Sequence, residues 1–247
     1  MKIVDRLVRR LRGELLPELP FSSNHYLTTR VFSLDDEKFQ PSQRLIDLTL
    51  DAVKALPGIS IDEVNSRPGV HRALEPHRLL QWPGEHYKLL AAIVSVLKPR
   101  RVIEIGTFEG WSSLSMKQYL PQDGLITTFD IAAWNTFANS CLNDTDFADG
   151  RLIQVVEDLS KPDVVARNKH ALEEADFVFV DGPHDGPTEY MMMENLNTLN
   201  FTEQPIFVFD DIKMHSMLKF WRDLRMPKLD ITSFGHWSGT GISEWRS

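Results

Sequence analysis

RVIEIGTFEG, residues 101–110, decides the fold. Residues 102–105 are apolar and β-branched apart from Glu104, and they predict a buried strand. The chain then breaks at Gly106-Thr107-Phe108-Glu109-Gly110 and resumes as a helical run over 111–120. A strand that turns directly into a helix leaves backbone N–H groups facing open space. Gly106 lets a ligand approach the backbone closely. The spacing is E-x-G-x-x-x-G, not the GxGxxG of dinucleotide-binding turns. Glu104 suits a ligand's ammonium group, where a phosphate would be repelled. A tight strand–helix turn in any α/β protein accounts for the same glycines without a ligand.

Outward from this turn, strand and helix alternate. Strands fit LITTFD (125–130), LIQVV (152–156), FVFVD (177–181) and IFVFD (206–210). More than ten residues separate each pair, enough for crossovers. Apolar strands of this kind are covered on both faces, so the sheet is mainly parallel. Residues 231–234 and 240–244, around 235–239, predict a closing antiparallel hairpin. Upstream, 84–97 reads as a helix entering the central strand, and 42–55 as a helix ended by Pro57-Gly58. Residues 17–41 and 59–83 are rich in turn formers, and part of them is expected to fold as a lid. Residues 1–16 form an amphipathic helix with a basic face, either docked on the domain or laid on a membrane or partner. The expected architecture is α/β: a doubly wound, mainly parallel seven-stranded sheet with an antiparallel C-terminal hairpin and an N-terminal helical extension. Residues 1–83 are assigned to the extension and lid, 84–247 to the domain.

Lys and Arg number 27 against 35 Asp and Glu, a net charge of −8. That balance argues against a general nucleic-acid binder. The single cysteine, Cys141, permits no internal disulfide and suits a reducing compartment, so cytoplasmic is expected. The longest nearly apolar run, 89–97, is half of what a membrane span needs. Residues 1–16 lack the apolar core and cleavage site of a secretory signal. Oligomeric state stays open, and a homo-oligomer is compatible with everything above.

Three later strands end in acids: Asp130, Asp181 and the pair Asp210-Asp211. In a parallel sheet the carboxyl ends share one edge, where ligands bind. Asp130 lies 20 residues beyond Gly110 and can accept both hydrogen bonds of a ribose diol, or else cap a helix. Asp181, Asp210 and Asp211 converge if the strand order is doubly wound, and their mutual repulsion is relieved by a hard divalent cation such as Mg²⁺. Lys213 offers the competing explanation of an ordinary ion-pair cluster. His184, three residues after Asp181, sits in a loop from which a mobile imidazole can take a proton from substrate. Otherwise it is a surface histidine. The remaining seven histidines have no comparable context, although His86 lies near the glycine turn.

These residues together resemble the class I S-adenosylmethionine-dependent methyltransferases, specifically the metal-dependent small-molecule O-methyltransferases of the catechol and macrolide-sugar types. The resemblance spans 84–211. VIEIGTFEGWSSL matches the first motif of that family, whose glycine turn, here with Thr107 and Gly110, holds the methionine part of the cofactor. The resemblance implies Glu104 and Gly106 near the amino-acid moiety with Ser112 assisting, Asp130 at the ribose, Ile131 against the adenine and Asp158 at the adenine amine. FVFVDGPH and VFDD match the two metal strands, which implies Asp181, Asp210 and Asp211 as ligands. Catechol-type enzymes carry Asp-Asn at the second place and a lysine base. Here Asp210-Asp211 departs from that pattern, keeping oxygen ligands and adding charge, and the Asp-x-x-His of His184 resembles the sugar-modifying branch. The implied reaction is methyl transfer from S-adenosylmethionine to a hydroxyl of a polyhydroxylated or sugar-bearing small molecule. Rival readings are a metal-independent methyltransferase, a nicotinamide-dependent oxidoreductase, disfavoured by the missing GxGxxG, and a non-catalytic cofactor-binding subunit.

Overall fold

A computed structural model describes residues 40–69 and 85–246, which fall within one compact unit, residues 38–247. The basic helix expected over 1–16 and most of both lid segments lie outside the described residues.

Helix α1 (Gln43–Ala55) starts where Ser42 Oγ accepts the Leu45 N–H, and it ends at the Leu56–Gly58 turn. A short helix α2 (Asp62–Asn65) follows. Helix α3 (His86–Leu97) closes on Lys98, left-handed at φ 53°, just before Pro99. The central strand β1 (Arg101–Ile105) leads through the glycine turn into α4 (Trp111–Lys117). Then come β2 (Leu125–Asp130), β3 (Leu152–Val156), α5 (Pro162–Arg167), α6 (Lys169–Glu173), β4 (Phe177–Val180) and α7 (Pro187–Leu196). The chain finishes with β5 (Ile206–Asp210), α8 (Met217–Asp223), β6 (Lys228–Asp230) and β7 (Thr240–Glu244).

The seven strands form one sheet in the order β3-β2-β1-β4-β5-β7-β6. The first five are parallel, and β7 enters antiparallel between β5 and β6. Successive residues of each strand alternate between two cores, as the period of two requires. Val102, Phe177, Phe179, Ile206 and Val208 face a core shared with Leu45, Leu89, Ile93 and Leu114. Ile103, Val178, Val180, Phe207 and Phe209 face the other, with Val165, Leu172, Met193 and Phe220. Helices therefore cover both faces, and the doubly wound expectation holds.

Two details differ from the sequence expectation. The hairpin's first strand is 228–230 rather than 231–234, because Asp230 Oδ1 captures Thr232 N at 3.0 Å and turns the chain out of the ladder. Helix α1, assigned to the extension, belongs to the domain. Leu45, Leu48 and Ala52 join the core of α3, and Arg44 pairs with Glu244 of β7 at 3.1 Å.

Strand order reverses between β1 and β4, which makes their carboxyl ends the switch point where open sheets bind ligands. The two strand ends are in direct contact there. Asp181 N donates to Ile105 O at 2.8 Å. Gly106 has φ +103°, and a Cβ on it would stand 1.9 Å from the Asp181 carbonyl oxygen.

Candidate active site

The glycine turn is closed by its own hydrogen bonds. Gly106 N donates to Phe129 O at 2.8 Å, Gly110 N to Thr107 O at 2.8 Å, and Phe108 N to Asp130 Oδ2 at 2.8 Å. The sequence reading assigned these N–H groups, and the space above Gly106, to a ligand. In the folded chain three of the N–H groups are spent inside the turn, and the Asp181 carbonyl fills the space over Gly106. Glycine is required there by β4.

Glu104 points beneath the turn and is fully buried. Its Oε2 accepts the Ser113 hydroxyl, and its Oε1 has no hydrogen-bond partner among the described residues. Burial pushes its pKa up to about 7, against the lowering effect of the Ser112, Ser113 and Thr128 hydroxyls. Thr107 and Ser112 are likewise buried, Thr107 Oγ1 lying 2.8 Å from Thr128 Oγ1. Gly110, at φ +85°, starts α4. Asp130 spans two turns, accepting Phe108 N on Oδ2 and Ala132 N on Oδ1 at 2.9 Å. Ionised, it offers about four acceptor positions, so two stay open. Ile131 beside it is 79% exposed. Asp158 holds Ser160 N at 2.9 Å and lies 3.7 Å from Lys161.

On the other side of the switch point the acids converge with imidazoles. His184 bridges two of them: Nε2 lies 2.9 Å from Asp181 Oδ1 and Nδ1 3.0 Å from Asp211 Oδ2. Both ring nitrogens then donate, which requires the imidazolium. Burial opposes that charge, but the Asp181 hydrogen bond and the Asp181, Asp211 and Asp210 charges prevail and lift its pKa to about 9. Asp181 is itself raised by burial, against the His184 hydrogen bond. Burial also works upward on Asp211, but hydrogen bonds from His236 and Ser238 outweigh it and leave its pKa lowered.

The backbone of the loop carrying His184 is pinned, and the imidazole expected to reach out to substrate is held between two carboxylates. The buried Glu189 carboxylate accepts His184 N at 2.8 Å and Gly186 N at 2.7 Å, and Ser216 Oγ donates to His184 O. His184 and Asp211 both sit in left-handed backbone, at φ 56° and 58°, a conformation found where surrounding structure over-determines it. Lys213 does not enter the cluster; it pairs with Asp230 at 3.2 Å. The ion-pair explanation through Lys213 therefore fails, and histidines take its place.

Two of those histidines were missed. His236 Nδ1 lies 3.3 Å from Asp210 Oδ1 and 3.4 Å from Asp211 Oδ1, with Ser238 Oγ at 2.6 Å. Burial opposes its protonation, but hydrogen bonds to Asp210 and Asp211 raise its pKa to about 9. His86 Nε2 lies 3.7 Å from Asp210 Oδ2. They arrive from opposite ends of the chain. Glu85 N donates to Phe234 O at 3.2 Å, Lys213 N to Ser238 O at 2.8 Å, and β7 pairs Thr240 with Asp210. The one local signal was a histidine inside the small-residue turn HWSGTG, 236–241. Of the two tail tryptophans, Trp245 is core, stacked on Phe207 at 5.4 Å, whereas Trp237 is 63% exposed. Tyr190 lies apart, donating to Asp223 at 2.7 Å.

A seven-stranded sheet with this order and an antiparallel β7, carrying a glycine turn beside an acid cluster at its switch point, is the Rossmann-like fold of class I methyltransferases. It superimposes on an O-methyltransferase from Bacillus cereus solved with SAH, with a TM-score of 0.53 and 14% identity over 90% of this chain and 96% of that one. TomG, an O-methyltransferase from Streptomyces achromogenes solved with SAM, gives 0.51 and 19% over 86% and 98%. The O-methyltransferase family profile matches residues 70–213, more than half of the sequence, and the chain belongs to that family. Caffeoyl-CoA O-methyltransferase 2 of Zea mays is 26% identical over 169 residues, and a Pinus taeda caffeoyl-CoA O-methyltransferase 27% over 125. The chain spans 61% of the length of the maize relative. Among the described residues no helix is long and apolar enough to cross a membrane.

Proposed function

We propose that this chain transfers a methyl group from S-adenosylmethionine to a hydroxyl of a small polyhydroxylated or sugar-bearing molecule. The observation that carries the reading is the contact at the switch point, where Gly106 packs on Asp181. It sets the glycine turn and Asp130 beside the Asp181, His184 and Asp211 cluster, so donor and acceptor would meet at one crevice.

The residues fit the cofactor. The buried, unpartnered Glu104 Oε1 suits an ammonium group, the open acceptor positions of Asp130 suit a ribose diol, and exposed Ile131 suits an adenine face. Asp158, at the end of β3, suits an adenine amine. When bound, S-adenosylmethionine supplies an electrophilic methyl on sulfur. What remains for the protein is alignment, worth roughly 7–11 kcal/mol, and removal of one proton. His184 is the group placed to accept it, for a factor of about 10²–10⁴, once it is released as a neutral base from its two carboxylates. Exposed Trp237 and Phe234 would flank the acceptor.

The donor chemistry of Asp181, Asp210 and Asp211 suits a divalent cation such as Mg²⁺, which when bound would lower the pKa of a coordinated hydroxyl. His184 already satisfies Asp181 and Asp211, so the cation and the imidazolium compete for the same oxygens. That satisfaction also supports a second reading, a metal-independent methyltransferase. Purified protein, labelled S-adenosylmethionine and a panel of polyhydroxylated acceptors test both. Activity that EDTA abolishes and Mg²⁺ restores is expected. Activity indifferent to EDTA selects the metal-independent reading. No transfer to any acceptor, with no cofactor binding by calorimetry, sinks the proposal.

A further inference from the structure

We infer that His86, Asp210 and His236 form a site for a borderline transition ion such as Zn²⁺ or Co²⁺. This inference rests on the reading above only in placing a cation at this sheet edge; methyl transfer is not needed for it.

The ligand atoms of these three residues lie within 4.8 Å of one another, an arrangement no other group of His, Cys, Asp or Glu matches among the described residues. His86 Nε2 is 3.7 Å from Asp210 Oδ2, and His236 Nδ1 is 3.3 Å from Asp210 Oδ1. The first spacing is too long for a hydrogen bond. The second lies near the ~3.4 Å edge of a tetrahedron drawn with metal–nitrogen bonds of about 2.1 Å, and the first ends on the other Asp210 oxygen, so the carboxylate faces both imidazoles.

His86 supplies the independent sign of a missing partner. It is 2% exposed, packed edge-on to Tyr87 at 4.6 Å and beside Phe179 at 5.9 Å. Its Nδ1 is buried without a hydrogen bond among the described residues, and its ring lies 5.0 Å from that of His236. Burying a polar ring without partners costs about 1–3 kcal/mol, which a bound ion would offset. Asp210 is 4% exposed and is the one strand-end acid of the three that His184 does not contact. Two imidazoles and one carboxylate are a borderline donor set that suits Zn²⁺, Co²⁺ or Fe²⁺, whereas Mg²⁺ selects oxygen. Such an ion leaves Asp181 and Asp211 to His184, so both groups occupy the edge at once.

The test titrates the metal-stripped full chain with Zn²⁺, Co²⁺ and Mg²⁺ by calorimetry, without S-adenosylmethionine. Stoichiometric Zn²⁺ and Co²⁺ binding is expected. His86→Gln and His236→Gln should each weaken it at least about tenfold, while His170→Gln, on an exposed helix, leaves it unchanged. Because His86 is buried, its variant is checked for native near-UV dichroism. X-ray absorption of the Zn²⁺-loaded wild type needs no substitution and should show scattering from two imidazoles. Oxygen-only scattering overturns the inference. So does Zn²⁺ binding that survives both histidine variants but is lost in Asp181→Asn, or the absence of stoichiometric binding. If no acceptor is ever methylated while His-dependent binding persists, only the functional reading falls.

Discussion

The two halves of the sheet's carboxyl edge are held together by different forces. On the β1–β2 side the turn is closed by backbone N–H groups and a single carboxylate, Asp130. On the β4–β5–β7 side the contacts are ion pairs of His184 and His236 with three acids, and His86 lies beside Asp210. Main-chain hydrogen bonds set a shape and carry no titrating proton, although the Asp130 and Glu104 carboxyls lie on that side. Paired charges in a partly buried cluster depend on protonation and can be exchanged for a cation. One half is thus held mainly by main-chain hydrogen bonds, and the other by charges whose pairing depends on protonation.

The comparison breaks most severely where the halves touch. Gly106→Ala must leave the left-handed region and push the Asp181 carbonyl away, which should cost about 2–6 kcal/mol and disturb both halves, read by urea denaturation. His184→Ala should strike the acid half alone: turnover falls about 10²–10⁴-fold while calorimetric cofactor affinity stays unchanged. Unchanged turnover would remove His184 from proton transfer. Asp130→Ala should do the reverse. Loss of charged hydrogen bonds worth about 1.5–3 kcal/mol weakens the cofactor roughly 10–100-fold and leaves metal affinity intact.

The smallest effect sharpens the contrast. His184 and His236 hold pKa values of about 9, above the ordinary 6.5. A raised histidine contributes stability that is fully present below about 6.5 and is lost as pH climbs through about 9. In metal-free protein the cluster should therefore lose stability between those pH values, by less than the two shifts taken separately because the two imidazoles share Asp211. In His184→Gln the loss should shrink; a thermal melt series that declines equally in both proteins would assign the effect elsewhere.

The fold was legible because its signals are local. Strands β2, β3 and β5 begin and end where alternation and flanking turns put them, and the turn at 106–110 announces itself in five consecutive residues. The placement of Asp181, Asp210 and Asp211 at the sheet edge was legible for the same reason, since Asp181 follows β4, Asp210 ends β5 and Asp211 comes next; His184 lies four residues beyond β4. Their partners were not. His86 opens a helix whose apolar pattern hides it, and His236 reaches Asp210 only because β7 inserts antiparallel beside β5. His86 lies over a hundred residues from Asp210 and His236 lies 26 residues from it, and neither meeting leaves a periodic trace in the sequence. Glu104 shows the limit in the other direction: its place on β1 was clear, but its full burial depends on Ser113 of α4 covering it.

Asp211 has a consequence for how this chain can diversify. Its left-handed backbone, at φ 58°, is adopted more readily by glycine, asparagine and aspartate than by most other residues. Asparagine keeps the side-chain oxygen, subtracts one unit of charge and asks nothing of the main chain. Aspartate and asparagine codons differ by a single nucleotide, so one point mutation resets the electrical balance of the cleft without touching its architecture.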